Sequence, residues 1–105
     1  MKHIAESFPE QWLFDGSEKP TSQCIYLAKT VVDHLEQYNL QPHYIAPSVE
    51  NGIYIKYLYN QKQLEIEVYN DLEIAAIVSI GSRVLFAEDI QHLDFTDSVH
   101  VLKEQ

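Results

Sequence analysis

Residues 53–80 read IYIKYLYNQKQLEIEVYNDLEIAAIVSI, three apolar-rich stretches separated by two short polar turns. In the middle stretch, apolar and polar side chains alternate strictly, as Leu64-Glu65-Ile66-Glu67-Val68-Tyr69. This period-two alternation indicates a strand with one buried side and one side that faces solvent. Because the polar turns at residues 60–63 and 70–71 are short, they predict hairpin connections and therefore an antiparallel meander.

The flanking sequence predicts one helix and further strands. Residues 21–39 carry apolar side chains at helical spacing, with Thr21 or Ser22 as the N-cap and Pro42 beyond the end. Residues 43–46 predict a short strand that ends at Pro47, and residues 84–87 predict another. The expected fold class is α+β, with one main helix packed on a four- to five-stranded antiparallel meander sheet.

The length of 105 residues fits a single domain, 1–105. We divide it into an irregular arm, a helix, an antiparallel sheet and a C-terminal part that forms a short helix or an edge strand. These parts are residues 1–20, 21–39, 43–87 and 88–105, respectively. The apolar residues of 88–105 follow no clean period, so the pattern does not choose between its two alternatives.

The charge balance restricts the classes of partner. The chain has 7 Lys+Arg against 16 Asp+Glu, a formal net charge of −9. Eight of the carboxylates fall in residues 63–102, where Arg83 is the one Lys or Arg. Nucleic acids and anionic membranes bind clustered Lys and Arg, so we expect neither as a partner. With no apparent signal peptide or membrane span in the sequence, the expected location is the cytoplasm.

Catalytic and metal-ligating patterns are weak, and we expect no enzymatic activity and no cofactor. The five histidines do not form a His-x-x-x-His pair, and Cys24 has no second cysteine to join it as a ligand. The nearest metal-like cluster is Asp89, His92, Asp94, Asp97 and His100, which also suits an ordinary polar surface. Cys24 falls in the apolar helical pattern, which favours a buried small residue over a reactive thiol.

The sequence contains residues for two other catalytic arrangements. A Ser-His-Asp set can be drawn from Asp15, His34 and Ser48, but any chain of this length offers such a trio by chance. Glu65 and Glu67 share one strand face and could act as an acid–base pair. Alternating glutamates on a strand more often mark a water-facing surface. The sequence therefore favours a solvated face for these glutamates, then an electrostatic docking surface, and least of all a catalytic pair.

Tyrosines form the more unusual pattern. Seven are present, and period two places Tyr54 with the polar side of its strand. Cross-strand packing that stabilises the meander is the favoured role of these rings. An interface is the alternative, because a tyrosine ring can be buried while its hydroxyl stays hydrated. Rings together with carboxylates suit a partner that has a basic surface. The predicted partner-binding residues are Tyr54, Lys56, Glu65, Glu67, Tyr69 and Glu73.

The order of motifs resembles a widespread group of small uncharacterised bacterial proteins. Those proteins show a Trp-x-x-Asp-Gly opening, a helix, a Pro-Ser-x-x-Gly-Gly-Ile strand entry and a Leu-x-Ile-Glu strand. The matching segments here are WLFDG at 12–16, PSVENGI at 47–53 and LEIEV at 64–68. Asn51, Tyr57 and Leu72 depart from that pattern, where Gly, Trp and Gly are usual. The resemblance implies a bacterial origin and an α+β layout, and it carries over no catalytic residue.

Three functions remain open at this point. The first is a non-enzymatic, acidic protein-binding module, such as an antitoxin, an immunity protein or a chaperone-like partner of a basic protein. The second is a small-ligand or metal-binding domain with a pocket near Trp12. The third is a subunit that associates with itself through an exposed strand edge.

Overall fold

The computed structural model describes residues 20–48 and 51–104. Two helices and five strands are present in this part of the chain, and we number them in chain order. The helices are α1 (Ser22–Glu36) and α2 (Thr96–Lys103). The strands are β1 (Tyr44–Ser48), β2 (Gly52–Tyr59), β3 (Lys62–Tyr69), β4 (Ile74–Ile80) and β5 (Arg83–Asp89).

The five strands form one antiparallel sheet in the order β1-β2-β3-β4-β5, so each strand pairs with its neighbour in sequence. This confirms the predicted α+β fold with one main helix on an antiparallel meander. The turn between β2 and β3 is tighter than predicted, because Tyr59 pairs directly with Lys62 and leaves only Asn60 and Gln61 between them. Asn60 has a φ of 55°, a conformation that asparagine tolerates and that a two-residue hairpin requires.

Helix α1 begins where Thr21 caps it. The Thr21 hydroxyl accepts a hydrogen bond of 3.1 Å from the backbone N–H of Cys24. One face of the helix is buried, through Cys24, Ala28, Val31, Val32 and Leu35. The helix ends at Glu36, earlier than the predicted 39, and Asn39 adopts a left-handed φ of 63° that reverses the chain.

Both helices pack on the same side of the sheet. Helix α1 contacts β2 and β3, whereas α2 contacts β3, β4 and β5. The inward-facing residues of β3 are Leu64, Ile66 and Val68, as the alternation predicts, and all three are fully buried. The second helix therefore covers the half of the sheet that the main helix leaves open. The segment 96–103 is short, two turns only, which is why its sequence shows no clear helical period.

Lysine side chains hold α2 in place. The Lys62 ammonium donates to the backbone carbonyls of Val101 and Glu104, at 2.8 and 2.7 Å. Carbonyls at a helix C-terminus lack intrahelical partners and carry partial negative charge, so a lysine there is favourable. Lys103 donates to the carbonyl of Tyr38 and lies 5.4 Å from the ring centroid of Tyr59.

The two edge strands are irregular. Strand β1 continues through Pro47 to Ser48, so the expectation that Pro47 ends the strand is wrong. Proline is tolerated there because an edge strand leaves alternate N–H groups unpaired. Strand β5 carries a register shift opposite Val78 and Ser79. No helix in the described part of the chain is long and apolar enough to span a membrane.

Candidate functional site

The side of the sheet away from the helices carries the predicted tyrosines and glutamates. Tyr54 on β2 lies directly opposite Glu67 on β3, and Lys56 lies opposite Glu65. On the other side of β3, Glu67 pairs with Ala75 and Glu65 with Ile77. Since directly paired side chains lie about 5 Å apart at Cβ, the register alone brings these groups together. We call Tyr44, Ser48, Tyr54, Glu65, Glu67 and Tyr69 the tyrosine–glutamate face.

Hydroxyl groups fix both carboxylates of this face. The Tyr54 hydroxyl donates to Glu65 Oε2, and the Ser48 hydroxyl donates to Glu67 Oε2. The Tyr69 hydroxyl donates to the second oxygen of Glu67, Oε1, at 3.3 Å. A carboxylate has about four acceptor positions, so each of these groups retains acceptor capacity after such contacts. The glutamates are thus oriented by neutral donors, which leave their negative charge in place.

Burial and the neighbouring carboxylates keep Tyr54 protonated. Burial is the largest cause that raises the pKa of the Tyr54 hydroxyl, followed by its hydrogen bond to Glu65 and the charges of Glu65 and Glu67. Both effects disfavour a phenolate. The hydroxyl therefore stays a hydrogen-bond donor throughout the neutral pH range.

An open groove runs beside the edge strand β1 on this face. Its volume is about 370 Å³, and we call it the β1 groove. It is lined by Tyr44, Ala46, Pro47, Ser48, Tyr54 and Glu67. The rings of Tyr44 and Tyr54 meet edge to face, with centroids 6.1 Å apart and planes inclined by 66°. A smaller cavity of about 120 Å³ continues across β3 and shares Tyr54 and Glu67 with the groove.

Four of the six predicted site residues come together: Tyr54, Glu65, Glu67 and Tyr69 line the smaller cavity. Lys56 is on the same side of the sheet, beside Tyr44 and Glu65 in the register, but it lines neither cavity. Glu73 follows the turn before β4, where its carbonyl accepts a hydrogen bond of 2.9 Å from the N–H of Tyr69 and its own N–H donates to Asp71 Oδ1, but it lines neither cavity. Its neighbours there include Asp89 and Gln91, around a separate cavity of about 300 Å³.

Sequence reasoning missed Tyr44 and Ser48. Both lie on β1, where alternation places Tyr44, Ala46 and Ser48 on one side of the strand. Extending the period-two pattern through Pro47 could have found Ser48. The contact between Tyr44 and Tyr54 depends on strand register, which the pattern within one strand does not contain.

The other candidate groups are dispersed. No set of three His, Cys, Asp or Glu side chains in the described residues is arranged to hold a metal ion. His34 lies on α1, on the helix side of the sheet, whereas Ser48 lies on the opposite side, and Asp15 is outside the described residues. The Trp12 pocket also lies outside them.

Cys24 is buried, as predicted. Its Sγ donates to the backbone carbonyl of Val68 at 3.2 Å, and burial raises the pKa of the thiol to about 11. A thiol of this kind is protonated at neutral pH and is a poor nucleophile.

Comparisons of the chain with protein-family models, with curated proteins and with solved structures gave no match. The site is therefore interpreted from its geometry and charge.

Proposed function

We propose that this chain is a non-enzymatic protein-binding module that docks a basic protein on the tyrosine–glutamate face, in the cytoplasm of a bacterium. An antitoxin, an immunity protein and a chaperone-like partner are all functions of this kind. The observation that carries the proposal is the pairing of tyrosine rings, of which that of Tyr44 is exposed, with oriented carboxylates on one side of the sheet. Rings supply apolar contact area and carboxylates steer a cationic partner, which together are typical of a docking surface.

The balance of charge on this side of the sheet supports a basic partner. Glu65 and Glu67 on the central strand β3 both line the smaller cavity, whereas Lys56, the one lysine on this side among the described residues, pairs with Glu65 in the register and lines neither cavity. The surface is also partly apolar, because Tyr44 is 54% exposed and Ile77 is 38% exposed. A surface that combines exposed apolar groups with one sign of charge favours a partner of complementary composition over water alone.

Self-association through a strand edge is the weaker alternative. Pro47 lacks an N–H that a second strand could use, and the register shift in β5 twists the other edge. Both features are devices that discourage edge-to-edge pairing. Sedimentation velocity over a range of concentrations tests this alternative, and a strict monomer excludes it.

The proposed function is tested by co-purification at two ionic strengths. The immobilised chain is exposed to a bacterial lysate at about 50 mM salt, washed at about 500 mM salt, and the released proteins are identified by mass spectrometry. We expect basic proteins that leave the column as the salt rises. Retention that is insensitive to salt would refute the electrostatic part of the proposal.

Matched variants locate the docking surface. Glu65→Gln with Glu67→Gln removes two charges from the face while keeping the side-chain shape and one oxygen acceptor at each position. Glu36→Gln with Glu104→Gln removes the same number of charges from exposed positions on the helix side. We expect the first pair to lose the partner and the second to retain it. Equal loss in both would mean that net charge, and not this face, recruits the partner.

A further inference from the structure

The β1 groove has the composition of a binding site for a cationic side chain. Two tyrosine rings and the Glu67 carboxylate line it, and none of the lining residues that the structure describes is a Lys or Arg. The faces of aromatic rings attract cations through the ring quadrupole. Tyr44 is 54% exposed, so part of its ring surface is available to an incoming group.

The geometry of the acceptors favours a planar cation. Glu67 is fixed by Ser48 at one oxygen and by Tyr69 at the other. A carboxylate that is held in this way can still accept the two parallel N–H groups of a guanidinium. Guanidinium also stacks on aromatic rings, whereas an ammonium is a compact, strongly hydrated point charge.

The shape of the groove also favours a planar guanidinium. It is open along one side and presents two rings, 6.1 Å apart between centroids. A quaternary ammonium group is usually bound by a closed aromatic cage, which two rings on an open sheet do not form. A flat guanidinium can lie on a single ring and reach a carboxylate at its rim.

We propose that the β1 groove binds an arginine side chain of the basic partner, stacked on the exposed ring of Tyr44 and paired with Glu67. This inference rests on the proposed function, since it names the group by which a basic protein is recognised. It assigns roles to Tyr44 and Ser48. Tyr44 supplies ring surface, and Ser48 holds the carboxylate in position.

Two peptides that differ in one chemical group test the inference. Each has eight residues, with glycine alternating with four arginines in one peptide and four lysines in the other. Binding to the intact chain is measured by calorimetry at about 50 mM salt, with two-dimensional NMR to follow the tyrosine ring signals. We expect the arginine peptide to bind about fivefold tighter and to shift the signals of Tyr44 and Tyr54.

Two tyrosine variants supply the control. Tyr44→Leu removes a ring from the groove and should abolish the preference for arginine, while circular dichroism checks that the fold is retained. Tyr26→Leu removes a ring that is 71% exposed on α1, on the far side of the sheet, and should leave the preference unchanged.

The outcomes separate this inference from the proposed function. Equal, salt-dependent binding of the two peptides would overturn the arginine-binding role of the β1 groove and leave docking of a basic protein in place. An arginine preference that survives Tyr44→Leu would also overturn it. Binding of neither peptide would overturn both.

Discussion

Removing one hydroxyl group from the core should stabilise this protein. The side chain of Tyr57 is fully buried on β2, and its hydroxyl has no hydrogen-bond partner among the described residues. A buried polar group without a partner costs about 1–3 kcal/mol relative to its hydrated state. Tyr57→Phe removes that cost and keeps the ring, so the core remains filled.

The expected gain can be worked through in three steps. From the middle of that range, about 2 kcal/mol, the void left by one oxygen atom subtracts about 0.3 kcal/mol, which leaves a net stabilisation of about 1.7 kcal/mol. For a domain of this size, that raises the melting temperature by about 4–8 °C. In urea, with an m value of about 1.5 kcal/mol/M, the midpoint should rise by about 1 M.

Urea unfolding followed by circular dichroism measures this change directly. Tyr26→Phe is the control, because Tyr26 is 71% exposed and its hydroxyl is hydrated, so its midpoint should not move. Burial and the charge of Glu36 also raise the pKa of Tyr57, so its ring should ionise only when the chain unfolds in alkali. A Tyr57→Phe protein that is no more stable than the parent would show that the hydroxyl has a partner, and would refute the reasoning.

Three further predictions concern β-turn strain, a close backbone approach and the buried thiol. Leu72 has a left-handed φ of 73° and is 47% exposed. Leu72→Gly should therefore raise the free energy of unfolding in urea by about 0.5–1 kcal/mol. A lower urea midpoint than that of the parent would contradict this. A Cβ at Gly52 would overlap the carbonyl oxygen of Val68, so Gly52→Ala should lower the free energy of unfolding by at least about 2 kcal/mol. A decrease of less than about a quarter of that value would be inconsistent with this packing. Folding raises the pKa of the Cys24 thiol from 9.0 to about 11. The neutral thiol therefore contributes its full share of the folding free energy below pH 9, and this share is lost as the pH rises to 11. At pH 8, iodoacetamide should label the native chain at least about 100-fold slower than the unfolded chain. Similar labelling rates in the two states would place the thiol at the surface.

The strands and their faces could be predicted from the sequence because one physical signal dominates there. In residues 64–69 every second side chain is apolar, and a shift by one residue would expose all of them. Helix α1 was equally clear, since its apolar residues repeat over four turns. Helix α2 offers only two turns, in which Val99 and Leu102 supply the apolar contacts with the core, and such a short segment carries no periodic signal.

The candidate site was predictable only in part, for a different reason. Period two places Tyr54, Glu65 and Glu67 on one side of the sheet, and the structure brings them together. Tyr44 joins them through the pairing of β1 with β2, and this register is a property of two strands. The tight turn brings Glu73 beside Tyr69, as expected, through a backbone hydrogen bond, but Glu73 lines a different cavity.

The pairing of each strand with its sequence neighbour has a consequence for how the chain folds. Each pair of neighbouring strands is joined by a short connection, so the chain loses little conformational entropy when the two strands pair. Domains whose contacts are local fold faster than sandwiches of the same size, in which distant segments must find one another. The long-range steps are the docking of α1 and α2 onto the finished sheet. We therefore expect the hairpins of residues 52–80 to form early, with the two helices closing the core afterwards.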